Sequence, residues 1–171
     1  MVQTNAGQQS LRQDDAVLVA ADSTYSLRSF GAEPALFLHF VLGRSTDLDK
    51  AAEHSPAVVT EIYRSSQAIP DLKPGRYEFT LTRVSYPRMA PNVPHYRSGA
   101  ALYYIQSGSG IFIADGKTEI KQTGTAHFER HGWLHQWAND ADEPLVLLQA
   151  NISEEGAPAV IMTQPGASGS K

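Results

Sequence analysis

Short apolar runs, separated by turn-forming residues, make up most of the chain from its second quarter onward. Runs of this length, rich in β-branched and aromatic residues, are typical of strands, and the run at 36–42 is predicted to be a buried one. The strand candidates are residues 36–42, 57–63, 76–86, 111–120 and 144–151. Tyr77, Phe79 and Leu81 alternate with polar neighbours, which predicts one buried face on that strand. Short strands at this spacing predict an all-β sandwich or barrel.

The clearest local signal is the pair Asp115-Gly116, which lies between two strand-like segments. A type I′ turn needs positive φ at both central residues, and aspartate followed by glycine tolerates this, so a tight hairpin is predicted. Gly108 and Gly110 indicate another turn just upstream. One short helix is predicted at residues 45–54, which begin with candidate serine and threonine caps and carry aspartates in the first turn.

A glycine-bounded segment in the second half of the chain carries the most specific motif. Gly124 is followed by Gly132, then by His135 and finally by Asn139. This spacing resembles the second motif of the cupin family, Gly-x5-Pro-x-Gly-x2-His-x3-Asn, with Arg130 in the place of the proline. A histidine placed just past a tight turn can be held rigidly inside a barrel.

An upstream segment resembles the first cupin motif, His-x-His-x3–4-Glu-x6-Gly, with two of its metal ligands replaced. His95 and Gly108 match the motif, whereas Arg97 stands at the second histidine and Ala101 at the glutamate. The family usually binds a divalent metal through three histidines and one glutamate. This chain keeps two of those four ligands, His95 and His135. Arginine offers no lone pair to a metal and alanine has no donor atom.

The resemblance covers roughly residues 74–150 and implies a cupin-type double-stranded β-helix, a jelly-roll barrel. We expect one such domain over residues 16–164, with an N-terminal extension before the barrel core. Residues 1–15 and 165–171 are predicted to be a flexible N-terminus and a flexible tail. The family also implies a homodimer, since cupins often pair through edge strands and an exposed strand edge needs cover.

In the cupin register, five side chains are expected to face the barrel interior. Strand alternation places Arg97 with His95, and Trp137 with His135, while Tyr103 faces inward from the next strand. The resulting pocket has aromatic walls, a fixed positive charge and two imidazoles that titrate near neutral pH. We assign proton transfer to His95, His135 and Tyr103, and substrate binding to Arg97 and Trp137.

Three functions fit this pocket. One is metal-free or weakly metal-assisted acid/base chemistry of the isomerase, lyase or cyclase type on a polar or anionic substrate, which Arg97 would bind through bidentate hydrogen bonds. Another is a metal-dependent oxygenase-type cupin that holds Fe, Mn, Ni or Zn through His95, His135 and a third ligand. His127, Glu129 and His131 are the nearby candidates for that ligand. The last is a non-catalytic small-molecule binding protein.

Composition narrows the range of partners. The chain has 171 residues, enough for a sizeable core, with 42% hydrophobic and 19% charged residues. A net charge of -4 and the lack of a basic run argue against nucleic acid. The absence of cysteine excludes disulfides, thiolate metal sites and cysteine nucleophiles. No apolar run approaches the ~18 residues of a membrane span. We therefore expect a soluble, cytoplasmic protein, although removal of an export signal would leave the same sequence.

Overall fold

The structure is a computed structural model that describes residues 1–44, 46, 57–65, 69, 74–91 and 93–163. The chain divides into two compact units, residues 1–42 and 43–171. In the first unit, β1 (Val2–Thr4) pairs antiparallel with both β2 (Gly7–Gln9) and β3 (Tyr25–Leu27). The first two strands lie within residues 1–15, and the domain boundaries drawn from the sequence stay a prediction.

The second unit contains two antiparallel sheets. Its strands, in chain order, are β4 (Tyr77–Tyr86), β5 (Ala90–Pro91), β6 (His95–Arg97), β7 (Ala100–Ser107), β8 (Ser109–Ala114), β9 (Lys117–Gln122), β10 (Ala126–Glu129), β11 (His135–Asn139), β12 (Leu145–Glu154) and β13 (Val160–Met162). One sheet has the spatial order β10-β7-β12-β4. The other has the order β13-β6-β11-β8-β9, and β5 also pairs with β11. The described residues therefore form the all-β architecture that the sequence predicts.

The apolar core joins the two sheets. One sheet contributes side chains from β7 and β12, and the other contributes them from β8 and β11. The core residues are Ala101, Tyr103, Ile105, Phe112, Ala114, Trp137, Leu145 and Leu147. Because side chains alternate along a strand, the inward faces of these strands also carry polar groups at fixed positions, and those groups form the candidate site.

The predicted Asp-Gly hairpin is confirmed. Asp115 and Gly116 have φ values of 51° and 71°, as a type I′ turn requires. The flanking strands β8 and β9 are paired antiparallel, and the pair next to the turn is Ala114 with Lys117. The strands predicted at 76–86 and 144–151 are also present, as β4 and β12.

Two predicted strands are wrong. Residues 36–42 and 57–63 have no regular secondary structure, and Leu36 is 99% exposed. The physical reason is that an apolar run becomes a strand only when a neighbouring strand satisfies its backbone N–H and C=O groups. No described strand pairs with either run. The helix predicted at 45–54 falls outside the described residues, apart from Thr46.

The buried face predicted for β4 is also corrected. Phe79 and Leu81 are 38% and 42% exposed, and β4 packs against the core through Val84 and Tyr86. The cause is position, since β4 is the last strand of its sheet and pairs with β12. The expected homodimer, which would cover such an edge, stays a prediction. Within the described parts of the chain, no helix has the length and hydropathy that membrane crossing requires.

Candidate functional site

Two histidines from neighbouring strands face each other inside the barrel. His95 and His135 are paired directly across β6 and β11, and their ring centroids are 4.4 Å apart. His95 Nδ1 donates to the Val93 carbonyl at 2.9 Å, and His135 Nδ1 donates to the Trp133 carbonyl at 2.7 Å. Because a carbonyl can only accept, the neutral form of each ring carries its lone pair on Nε2. Burial lowers the pKa of His95, which keeps that ring neutral near pH 7.

Glu129 supplies a fully buried carboxylate beside these rings. Its Oε2 accepts from Arg97 Nε at 2.9 Å, and its Oε1 accepts from Trp137 Nε1 at 2.7 Å. His135 Nε2 is also 2.9 Å from Oε2, a distance at which the protonated ring forms an ion pair with the carboxylate. Burial alone would raise the pKa of Glu129, but these three neighbours outweigh burial and hold the pKa below its ordinary value. The carboxylate is therefore ionised at neutral pH.

Arg97 is held on several sides by buried partners. Besides its bond to Glu129, its Nη2 contacts the Tyr103 hydroxyl and lies 3.4 Å from Gln149 Oε1. Gln149 in turn donates from Nε2 to Asn151 Oδ1 at 2.7 Å. Only Nη1 of the guanidinium is buried without a hydrogen-bond partner. Because Nε and Nη2 already contact buried partners, Arg97 retains the two N–H groups of Nη1 for another molecule.

His127 lies on β10, where it faces the same interior as Glu129. Its ring centroid is 4.0 Å from that of Phe112 and 5.9 Å from that of Trp137, and its Nε2 is buried without a hydrogen-bond partner. Burial, followed by the nearby charge of Lys121, lowers the pKa of His127 to about 4. The site therefore contains a second imidazole, after that of His95, that is neutral near pH 7.

The arrangement of the motif histidines inside two antiparallel sheets is the one that the sequence resemblance implies. The fold is a cupin barrel. His95 of the first motif lies on β6. His135 of the second motif lies on β11, after the turn at Gly132, whose φ is 66°.

A scan against protein-family models and a search of curated proteins find no match. Among solved structures, the chain is similar to the polyketide cyclase RemF from Streptomyces resistomycificus, with 20% identity, a TM-score of 0.46, and coverage of 54% of this chain and 65% of that one. The chain is also similar to the DMSP lyase DddQ from Ruegeria pomeroyi, with 20% identity, a TM-score of 0.46, and coverage of 52% of this chain and 44% of that one. A third similar structure is a cupin 2 conserved barrel domain protein from Salinispora arenicola, with 16% identity, a TM-score of 0.42, and coverage of 45% of this chain and 64% of that one. The chain spans less than two thirds of each of these proteins, and identities this low concern the fold alone.

The five residues expected in the pocket are all buried. His95, Arg97, Tyr103, His135 and Trp137 are each at most 3% exposed. Trp137 lies in the apolar core, where its indole fixes the Glu129 carboxylate instead of lining an open wall. The assignment of Trp137 to substrate binding stays a prediction.

The residues around this set divide between interior and surface. His131, one of the three candidates for a third metal ligand, is exposed and donates from Nδ1 to the Ser98 carbonyl at 2.9 Å. Asn139 donates from Nδ2 to three backbone carbonyls and shapes the loops that surround it. Sequence reasoning missed Gln149 and Asn151. The alternation of buried positions along β12 could have identified them, because they lie on the same strand face as the apolar core residues.

The present donor set does not fit the divalent metal that the cupin motifs imply. No group of three or more histidine, cysteine, aspartate or glutamate residues in the described part of the chain is placed to hold a metal ion. Glu129, the buried carboxylate that the described residues place near the two motif histidines, already accepts from Arg97 on the oxygen that faces His135. A permanent positive charge at this point opposes a divalent cation.

Proposed function

We propose that this chain is a small-molecule enzyme that transfers protons within its barrel, in the manner of an isomerase, lyase or cyclase. The observation that carries the proposal is a pair of buried nitrogen atoms without hydrogen-bond partners, Arg97 Nη1 and His127 Nε2. Buried polar atoms in proteins are almost always hydrogen-bonded, so unpaired ones indicate a missing polar partner. A bound substrate would supply that partner.

The chemistry follows from which atoms donate and which accept. In its neutral form, His135 has its lone pair on Nε2, because Nδ1 donates its proton to the Trp133 carbonyl. This lone pair can take a proton from a carbon next to a substrate carbonyl, while the electron pair of the broken C–H bond moves to the carbonyl oxygen. The free N–H at Arg97 Nη1 donates to that oxygen as its charge develops. The imidazolium or the Tyr103 hydroxyl then returns a proton to another substrate atom, which completes the transfer.

The charge balance of the site favours a polar substrate without a net charge. The single positive charge of Arg97 is matched by the ionised Glu129. The lowered pKa values of His95 and His127 keep both rings neutral near pH 7. An anionic group would therefore find no unmatched cation among these residues. Of the polar and anionic substrates expected from the sequence, we propose the polar class.

Hydrogen–deuterium exchange tests this function even while the substrate is unidentified. A panel of carbonyl compounds with acidic C–H bonds is incubated with the protein in D₂O, and proton NMR measures the loss of C–H signal. We expect exchange with wild type and a reduction of about 10²–10⁴-fold in His135→Gln and in His95→Gln. The matched control is His131→Gln, because His131 is exposed, and this variant is expected to keep the wild-type rate.

Other outcomes would support the alternatives. A compound that raises the melting temperature of wild type without exchange or turnover would support a non-catalytic binder. Exchange that requires added Fe, Mn, Ni or Zn and disappears with a chelator would support the metal-dependent alternative. Equal loss of exchange in all three histidine variants would contradict the assigned roles.

A further inference from the structure

A row of uncharged polar side chains extends from Arg97 to the edge of its neighbouring sheet. Arg97 Nη2 donates to Gln149 Oε1 at 3.4 Å, and Gln149 Nε2 donates to Asn151 Oδ1 at 2.7 Å. Asn151 Nδ2 donates in turn to Thr80 Oγ1 at 3.4 Å. Gln149 and Asn151 are buried on β12, whereas Thr80 is exposed on β4, the last strand of that sheet. Hydrogen bonds through this polar row therefore connect an exposed residue to the buried guanidinium.

The polar row lies on the inner face of the sheet. Residues paired directly across an antiparallel ladder share a face, and β4 is paired with β12 along its whole length. Val84 and Tyr86 of β4 pack against the apolar core, so the two-residue period places Thr82 and Thr80 on the same face. Both threonines are exposed. The inner face of β4 is therefore apolar and packed at one end, and polar and accessible to solvent at the other.

The side chains of the polar row match a ligand that carries hydroxyl groups. Amides and hydroxyls offer both donors and acceptors, as a ligand hydroxyl does. The first and last bonds of the row are 3.4 Å long, beyond the usual range of about 2.7–3.2 Å, so a ligand hydroxyl can replace either bond at little cost. An anionic group gains less, because the charge of Arg97 is already matched by Glu129.

We propose that Thr80, Asn151 and Gln149 form a subsite for the hydroxyl groups of a neutral, polyhydroxylated substrate. Gln149 contacts Nη2 of the same guanidinium whose Nη1 has no partner, so a ligand in this subsite adjoins the N–H groups that would bind its carbonyl oxygen. The inference rests on the proposed function, which places the substrate carbonyl at Nη1. It adds the substrate class and three binding residues to that function.

Two ketones with the same carbon chain test the inference. Erythrulose has a hydroxyl group on every carbon except that of the carbonyl, and butan-2-one has none. Titration of the full chain with each ketone, followed by ¹H–¹⁵N NMR, gives the two Kd values. We expect wild type to bind erythrulose about 10-fold or more tightly than butan-2-one. The side-chain amide signals of Gln149 and Asn151 should shift with erythrulose and not with butan-2-one.

A conservative variant at the exposed end of the polar row sharpens the test. Thr80→Val keeps the shape of the side chain and removes the hydroxyl, so the preference for erythrulose should fall by about 3–10-fold. The matched control is Thr118→Val, at an exposed position of β9 outside the row, and this variant should keep the wild-type preference.

Equal Kd values for the two ketones in wild type, or an unchanged preference in Thr80→Val, would overturn the inference. Exchange of the ketone C–H groups in D₂O is measured in the same samples and tests the proposed function separately. Exchange without a preference for erythrulose would support the enzyme and overturn the subsite. A preference that Thr80→Val reduces, without any exchange, would support the subsite and contradict the proposed proton transfer.

Discussion

Glu129 on β10 lies directly opposite Ala101 on β7 in the antiparallel ladder of the barrel. Ala101 stands where the first cupin motif has its glutamate. His127 lies opposite Tyr103 on the same ladder, so both titratable side chains of β10 face inward-pointing positions of β7. The matching position in this chain has no acid, yet the barrel interior contains a carboxylate, which the neighbouring strand supplies.

The buried pair of Arg97 and Glu129 should be far more sensitive to neutralisation than an exposed pair. Glu129→Gln leaves the guanidinium unpaired in the interior, so we expect a loss of about 3–5 kcal/mol in the free energy of unfolding, measured with urea. The control is Asp142→Asn, since Arg88 and Asp142 form an exposed pair at 3.1 Å and should lose less than about 1 kcal/mol. Similar losses of unfolding free energy from the two substitutions would show that the buried pair is no more important for stability than the exposed pair.

The stability of the protein should fall as the pH drops from about 6.5 to about 4, partly because of His127. Its folded pKa is lowered to about 4, so over this range the unfolded chain binds a proton that the folded chain excludes. His95, whose pKa is also lowered, acts in the same direction. Below about pH 4.3, protonation of Glu129 should remove further stability, because its folded pKa lies under the unfolded value.

Urea unfolding of wild type and His127→Phe, at steps from about pH 7 to about pH 4.5, checks this dependence. The variant should lose less stability than wild type over the range, because it lacks the group that takes up the proton on unfolding. His131→Gln, at an exposed position, serves as the control and should follow the wild-type curve. Parallel curves for wild type and His127→Phe would contradict the assignment.

Gly99 should not tolerate a side chain. A Cβ at this position would lie 1.8 Å from the Ile152 carbonyl oxygen and 2.9 Å from Ser153 Cα, both of them backbone atoms. Relief requires the chain between β6 and β7 to move, so Gly99→Ala should lower the free energy of unfolding by about 2 kcal/mol or more. Ser98→Ala, which removes one exposed hydrogen bond to Pro158, should cost about 1 kcal/mol or less. Comparable unfolding midpoints for the two variants would disprove the close contact.

The Tyr103 hydroxyl should matter more for proton transfer than for stability. Tyr103→Phe keeps the aromatic ring in the core and removes the oxygen that contacts Arg97. The free energy of unfolding should therefore fall by about 1 kcal/mol. The exchange rate in D₂O should fall about 10²–10³-fold if the hydroxyl donates to substrate. Tyr104→Phe is the matched control, because Tyr104 points to the opposite face of β7. Equal rates in the two variants would remove Tyr103 from the proposed chemistry.

By itself, the sequence determined the features that depend on neighbouring residues. The Asp115-Gly116 turn follows from local backbone preference, and the inward positions of His95 and His135 follow from motif spacing and strand alternation. These are short-range properties, because a turn type and a two-residue period are set within a few positions of the chain.

Tertiary structure alone decided which carboxylate enters the site and which apolar runs become strands. Glu129 meets Arg97 and His135 because β10 pairs with β7 in one particular register, and pairing between distant segments cannot be derived from either segment alone. Residues 36–42 have the composition of a strand but no pairing partner in the described chain. In both cases the deciding interaction is a backbone ladder between residues far apart in sequence, whose stability depends on the whole sheet.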